Sequence, residues 1–331
     1  MQRLFANTQK RRIPLMCTFE LTRHCNLQCL HCYIPIQQRS AKTLSTKQVI
    51  SALDELSRMG TLYLVFTGGE IFLRKDILTL CRHARRLRFD VRLFTNGTLI
   101  SKRTAKQLAK IGISAVEISI YGRAATHDAI TRKTGSWEKS INAIKILSKA
   151  GVKTVIKMPL MTANICEKKY VQTLANKLKV KLQLDAIITT MSDGNKAPLS
   201  LRLPANELKK LFKPSRWPNN TKSTEFVGEN LICSAGRNML AIGADGTIMP
   251  CIQLPLKLGN ISRHPIAKLW SAFNPPVRKL LSVHASGIAV CGNCAMASFC
   301  QRCPGLALLE DGSLRGPSST ACLISCAKTL K

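Results

Sequence analysis

The sequence predicts an α/β fold, a partial (β/α)6 TIM-like barrel followed by a small Cys-rich α+β domain. Three observations predict it. Residues from 15 to about 190 alternate short β-branched or apolar runs with amphipathic helical stretches, the rhythm of βα units in a parallel sheet. Six such strands occur, too few for a closed eight-stranded barrel but enough for an open one. From Cys233 the rhythm stops and closely spaced cysteines begin.

Strands are expected over 17–21, 62–67, 91–95, 115–120, 154–159 and 181–187, with helices near 46–59, 75–88, 101–110, 137–150 and 165–178. Residues 1–190 therefore form the barrel. Residues 191–232 are richer in Pro, Asn, Ser and Lys and read as a bridging segment, with one helix over 204–212 that Pro214 stops. Residues 233–331 form the C-terminal domain. It opens with a hairpin, 239–242 and 247–250, around Ala244-Asp245-Gly246, and contains no internal repeat. A chain of 331 residues is long enough for two such units, of roughly 200 and roughly 100 residues.

A hydrophobic content of 45% with 21% charged residues is that of a soluble globular protein. No stretch reaches the roughly 18 apolar residues of a membrane span, and the first 14 residues lack the apolar core of a signal peptide, so the expected location is cytoplasmic with no membrane association. Fifty Lys and Arg against 18 Asp and Glu give a net charge of +32. Those cations are spread over nearly every expected helix rather than gathered in an aromatic-interleaved strip, which disfavours nucleic acid. Two readings stay open: a solvated surface trait, or attraction for an acidic peptide or protein.

Ten of the 14 cysteines fall into two spaced sets. Without a secretory signal, ligation of metal is favoured over disulfides. The first set, Cys25, Cys29 and Cys32, is a Cx3Cx2C run after the first strand, with Tyr33 directly behind it. Three thiolates so close hold three irons of a cubane cluster and leave the fourth without a protein ligand.

This run resembles the signature of the radical S-adenosylmethionine (SAM) superfamily. The resemblance implies that the open iron chelates the amino and carboxylate groups of SAM, and that an electron from the 4Fe-4S cluster releases a 5'-deoxyadenosyl radical that abstracts a substrate hydrogen. Other segments fit it. Gly68, Gly69 and Glu70 follow the second strand like the family's GGE motif, which binds the methionine amino group, glycines letting the backbone come close. Ser119 ends the fourth strand where relatives contact the SAM ribose and carboxylate. Arg132 lies where a carboxylate-binding Arg often stands, unless it is another surface cation. Asn96 either lines the cavity or simply forms an Asn-Gly turn.

The second set is Cys233, Gly246-x4-Cys251, Cys291-x2-Cys294-x5-Cys300-x2-Cys303 and Cys322. It resembles the SPASM extension of radical SAM enzymes, with two residues instead of three between Cys300 and Cys303. By that resemblance Cys291, Cys294, Cys300 and Cys322 bind one auxiliary 4Fe-4S cluster, while Cys233, Cys251 and Cys303 bind a second. The fourth ligand of the second is open, supplied by substrate, or Cys326. A structural zinc site uses the same thiolates and is the alternative. A buried apolar role is expected for Cys17, Cys81 and Cys166.

Relatives with this layout modify ribosomally made peptides or proteins. Cys303-Pro304-Gly305 with Glu310-Asp311-Gly312 resembles the peptide-maturase and quinone-cofactor branch, and Ile252 stands where sulfatase-maturing relatives carry an Asp base. The implied function is SAM cleavage followed by carbon-carbon or carbon-sulfur bond formation on a precursor peptide, under anaerobic conditions. A small molecule such as a tetrapyrrole side chain is the alternative substrate. Implied partners are a precursor with an acidic leader, a separate leader-binding protein, since the first strand begins by about residue 15, and a flavodoxin- or ferredoxin-type electron donor.

Overall fold

The computed structural model describes residues 2–212, 233–283 and 287–329. Six strands, β1 (Met16–Thr22), β2 (Tyr63–Gly68), β3 (Asp90–Thr95), β4 (Ala115–Ser119), β5 (Thr154–Pro159) and β6 (Lys181–Asp185), pair in parallel with each neighbour next in sequence. Their apolar runs are long because a parallel sheet covered by helices buries both faces. Phe19, Leu64, Phe66, Leu93, Ile118 and Ile156 are all fully buried. The crossovers are α2 (Thr46–Arg58), α3 (Ile77–Arg86), α4 (Lys102–Ile111), α6 (Ser136–Lys149) and α7 (Lys168–Lys177). Local signals set their ends. Ser45 and Gln48 form a reciprocal capping box at α2, Ser101 caps α4 through Thr104 N, and Gly112 ends α4 at φ +77°.

Two helices escape the sequence reading. One, α1 (Gln2–Arg11), precedes β1, and the other, α5 (Ala124–Thr131), follows β4. The second is short and weakly amphipathic, and both are held by tertiary contacts. Phe5 on α1 stacks on Tyr63 at 6.3 Å between ring centroids, and Asn238 Nδ2 donates to Thr8 Oγ1 at 3.0 Å.

The expected hairpin, β7 (Met239–Ile242) and β8 (Thr247–Met249), does not stand apart from the barrel. Strand β7 lies parallel to β1, with Met16 opposite Met239, and β8 and β9 (Gly259–Asn260) extend the same sheet antiparallel. An uncovered β1 would present an open edge, and β7 occupies it. The cysteine-rich region adds α9 (Ile266–Leu269), α10 (Pro275–Leu281), α11 (Ala289–Gly292), α12 (Pro304–Asp311) and α13 (Ser319–Thr329); Ala235, Leu254, Leu280, Val283, Ile288 and Leu314 form a small second core, while Ile266, Leu269, Val277 and Ala327 join the barrel core.

The bridging segment is described as far as Phe212; residues 213–232 lie outside the described residues. Its helix is α8 (Ala205–Leu211). Just before it, Arg202 donates to the Glu310 carboxylate and to Thr320 Oγ1, tying the segment to α12 and α13. No helix among the described residues is long and apolar enough to cross a membrane.

Phe66 lies on the central strand β2 with no solvent exposure, its ring edge-on to Phe19 at 6.4 Å. Truncation there opens a cavity in the main core. Phe66→Ala is expected to cost about 3–5 kcal/mol in a denaturant titration. A loss below about 1 kcal/mol would contradict the packing described.

Candidate active site

The C-terminal ends of the parallel strands meet at a cavity of about 230 Å³. Cys25, Cys29 and Cys32 line it from the loop after β1, Gly68 and Gly69 from the end of β2, Asn96 from the end of β3, and Ser119 from the end of β4. The structure therefore gathers in one place residues that the sequence spreads over about a hundred positions.

Backbone contacts fix the cysteine loop. On one side Gly69 N donates to Thr22 O and Glu70 N to His24 O, both at 2.8 Å. A Cβ on Gly69 would stand 2.1 Å from His24 O, and one on Gly68, at φ +147°, 2.1 Å from Thr22 O. Only glycine fits either place. On the other side Gln28 N donates to Thr131 O at 3.1 Å and Leu30 N to Ile130 O at 3.0 Å, so α5 docks the loop. Arg39 Nη1 holds Leu27 O at 2.9 Å.

Glu70 is fully buried, and its carboxylate faces the scaffold. It accepts from Phe72 N at 3.0 Å, Thr95 Oγ1 at 2.7 Å and Asn96 N at 2.8 Å, joining the ends of β2 and β3. Burial raises its pKa, opposed by those three donors. Asn96 serves both readings of it. Its Oδ1 accepts from Thr98 N at 2.9 Å, the turn contact, while its Nδ2 reaches Asn26 Oδ1 at 2.9 Å beside Cys25. Arg132 is exposed at φ +54°, ends α5, and is not among the residues lining the cavity.

The thiols sense one another. Burial, then the proximity of Cys32 and Cys25, pushes the Cys29 pKa up to about 12, while a hydrogen bond from Tyr121 opposes the rise. Burial and neighbouring thiols disfavour the thiolates of Cys25 and Cys29, and a cation among them would offset both. Soft sulfur donors in a partly buried loop suit an iron–sulfur cluster, whose iron displaces the thiol protons.

Several lining residues escaped the sequence reading. His31 and His127 flank the Tyr121 ring at 5.0 and 5.3 Å, and burial lowers both pKa values to about 4, so both are neutral at physiological pH. Glu117, 3% exposed on β4, pairs with Arg92 Nη1 at 3.1 Å and Lys157 Nζ at 3.4 Å, and Lys157 lies 4.0 Å from the centre of the Phe94 ring. A carboxylate in the apolar β4 run Ala115-Val116-Glu117-Ile118 was the available signal.

The remaining cysteines fall into two electrostatic neighbourhoods. The Cys251 thiol, raised by burial to about 11, also senses Cys233 and Cys303. Cys322, raised by burial first, senses Cys300, Cys291, Cys294 and Cys326. Cys326 thus lies beside the four-cysteine group. Gly246 takes φ +85° in the turn before β8. Cys17 and Cys81 are buried as expected, but Cys166 is exposed: it occupies a short turn before α7 that faces outward.

An open parallel α/β sheet with a three-thiol loop at its C-terminal edge, and a cysteine-rich region joined to its β1 edge, defines a class of iron–sulfur protein. Comparison with known proteins gives the family. Residues 19–173 match the Radical SAM superfamily and residues 233–304 match the SPASM iron-sulfur cluster-binding domain. The chain thus contains a radical SAM domain followed by a SPASM domain. It is 28% identical over 273 residues to the sporulation killing factor maturation protein SkfB of Bacillus subtilis, covering 78% of this chain and 65% of SkfB. It is 25% identical over 328 residues to the AdoMet-dependent heme synthase of Methanosarcina barkeri, covering 90% and 93%. The fold matches Streptococcus suis SuiB bound to its precursor peptide SuiA with a TM-score of 0.69, at 16% identity over 97% of this chain and 79% of that one.

Gly69→Ala forces its new methyl group onto His24 O and so displaces the segment leading to Cys25. Iron bound after anaerobic reconstitution should fall by about four per chain, the content of one cubane cluster. Undiminished iron would show that the close approach is dispensable.

Proposed function

We propose that this chain cleaves SAM reductively and uses the resulting radical to modify a ribosomally made precursor peptide or protein. The supporting observation is the convergence on one cavity of Cys25, Cys29, Cys32, Gly68, Gly69, Asn96 and Ser119. In this reading a 4Fe-4S cluster held by those three cysteines supplies the electron that splits SAM into methionine and a 5'-deoxyadenosyl radical. Gly68 and Gly69 offer backbone polar groups to the methionine moiety, and Ser119 offers a hydroxyl. Glu70 acts indirectly, holding Asn96 and the end of β3 in place. Arg132 is exposed and does not line the cavity, whereas Lys157 does and is the better placed cation for a SAM carboxylate. The neutral His31 and His127 and the Tyr121 ring form a wall that excludes water.

Two auxiliary clusters belong to the same reading, one on Cys291, Cys294, Cys300 and Cys322 and one on Cys233, Cys251 and Cys303. They would accept the electron left after bond formation and pass it onward, while a flavodoxin- or ferredoxin-type protein would donate the electron that reduces the first cluster. The alignment with SkfB and the fold shared with SuiB support a peptide substrate. The +32 charge suits an acidic leader, gripped directly or through a separate leader-binding protein. A tetrapyrrole substrate is favoured by the heme synthase alignment, which spans nearly all of both chains.

Anaerobic incubation with a candidate precursor, SAM and reductant is expected to give 5'-deoxyadenosine and a peptide lighter by a hydrogen pair in mass spectrometry. Replacing Cys25, Cys29 or Cys32 with Ala should abolish both products. Wild-type 5'-deoxyadenosine yield from any of these variants would defeat the assignment, and turnover of a porphyrin but no peptide would favour the second substrate.

Cys294→Ala or Cys300→Ala separates radical generation from product formation. A soluble variant that still loads the first cluster is expected to make uncoupled 5'-deoxyadenosine and no modified peptide. Normal peptide yield from such a variant would make the auxiliary cluster a structural element only.

A further inference from the structure

We infer that Arg302 is a fixed cation shared by the two auxiliary cluster sites, and that it holds the reduction potentials of both above the level their thiolates alone would set. This inference rests on the auxiliary clusters proposed above.

Position in the chain comes first. Cys300-Gln301-Arg302-Cys303 is the link that steps from the four-cysteine group to the three-cysteine group, and its two-residue spacing is where this sequence departs from the SPASM pattern. Arg302 occupies that step. Its side chain is 8% exposed, held by Nε donating to Gly316 O at 2.9 Å and Nη2 donating to Leu314 O at 2.7 Å. Those two carbonyls lie in the turn between α12 and α13. The guanidinium is therefore anchored from behind, by groups that carry no charge.

Its third nitrogen, Nη1, is buried with no hydrogen-bond partner. No carboxylate pairs with Arg302 in any ion pair among the described residues. A buried guanidinium without an anion is strongly disfavoured, and arginine does not escape by losing its proton. Among the described residues the groups that act on it most are cysteines: Cys291 and Cys300 of one group, Cys303 and Cys233 of the other. Loaded with iron and sulfide, both groups become anionic, and the charge of Arg302 is then balanced from two sides.

The redox consequence follows from charge alone. Each cluster gains one negative charge when it takes up one electron, and a fixed cation stabilises that reduced state. In a partly buried site the interaction is stronger than in water and little screened by salt. Because cysteines of both groups act on Arg302, its effect falls on both clusters and favours electron acceptance at the pair.

The test is a potentiometric titration of the anaerobically reconstituted full chain, followed by electron paramagnetic resonance. Arg302→Gln keeps a side-chain donor and removes the charge; both auxiliary potentials should fall while that of the Cys25, Cys29 and Cys32 cluster stays in place. Arg302→Lys keeps the charge and should lower them less. Unmoved potentials, movement of one auxiliary cluster alone, or an equal fall with Lys would overturn the inference. The wild-type protein gives a check that needs no variant. Its auxiliary potentials should hold steady as salt rises from about 0.05 to about 0.5 M, and a steep fall would assign them to surface cations instead. Iron content separates the two levels of argument. Wild-type protein binding about four irons, not about twelve, would remove the auxiliary clusters and the reading beneath. About twelve irons with unmoved potentials would remove only the role of Arg302.

Discussion

The approach of the Gly68-Gly69-Glu70 turn to the end of β1 is the constraint on which the site depends. Gly69 N and Glu70 N grip Thr22 O and His24 O, and neither glycine has room for a single added carbon. That grip brings the strand ends together, and the next residue extends it, since the Glu70 carboxylate binds Thr95 and Asn96 on β3. From Asn96 the chain of contacts returns to Asn26, beside Cys25. The cysteine loop is thus positioned by the neighbouring strand ends. In the resemblance to its family this turn serves SAM; in the structure its glycines also serve the loop that would hold the metal.

The opposite side of the loop rests on α5 through Thr131 and Ile130. Asp128 stabilises that helix end, accepting from Gly135 N at 2.6 Å, Ser136 Oγ at 2.8 Å and Trp137 N at 2.9 Å. Its carboxylate therefore also caps the start of α6 and favours the ionised form. Arg132 is exposed. It takes the left-handed conformation that ends α5, one residue beyond Thr131, which lines the cavity.

The cysteine-rich region is joined to the barrel by backbone pairing and by charge. Strand β7 closes the β1 edge, and Arg202 pairs with a Glu310 that is only 6% exposed. Trp270 Nε1 donates to Arg12 O at 2.7 Å while the Arg12 guanidinium lies 5.2 Å from the Trp270 ring centre. Such contacts fix the cysteine-rich region against β1, the strand that precedes the Cys25 loop.

Strand positions, helix spans and the grouping of cysteines were legible in the sequence, because apolar periodicity and short-range spacing are local properties. The expected strand over 154–159 and the hairpin strand over 239–242 match β5 and β7 residue for residue. Helices α1 and α5 were not legible, for they are held by Tyr63, Asn238 and the cysteine loop instead of by their own pattern. Nor was the parallel pairing of β7 with β1, whose partners are 223 residues apart, Met16 with Met239. The cysteine spacing by itself specified which chemistry to expect. Tertiary structure alone decided that Glu70 points into the scaffold, that Glu117 and Lys157 face the cavity, and that Arg302 sits buried between two thiol groups. Side-chain direction and burial depend on what distant segments pack alongside, and no local pattern encodes that.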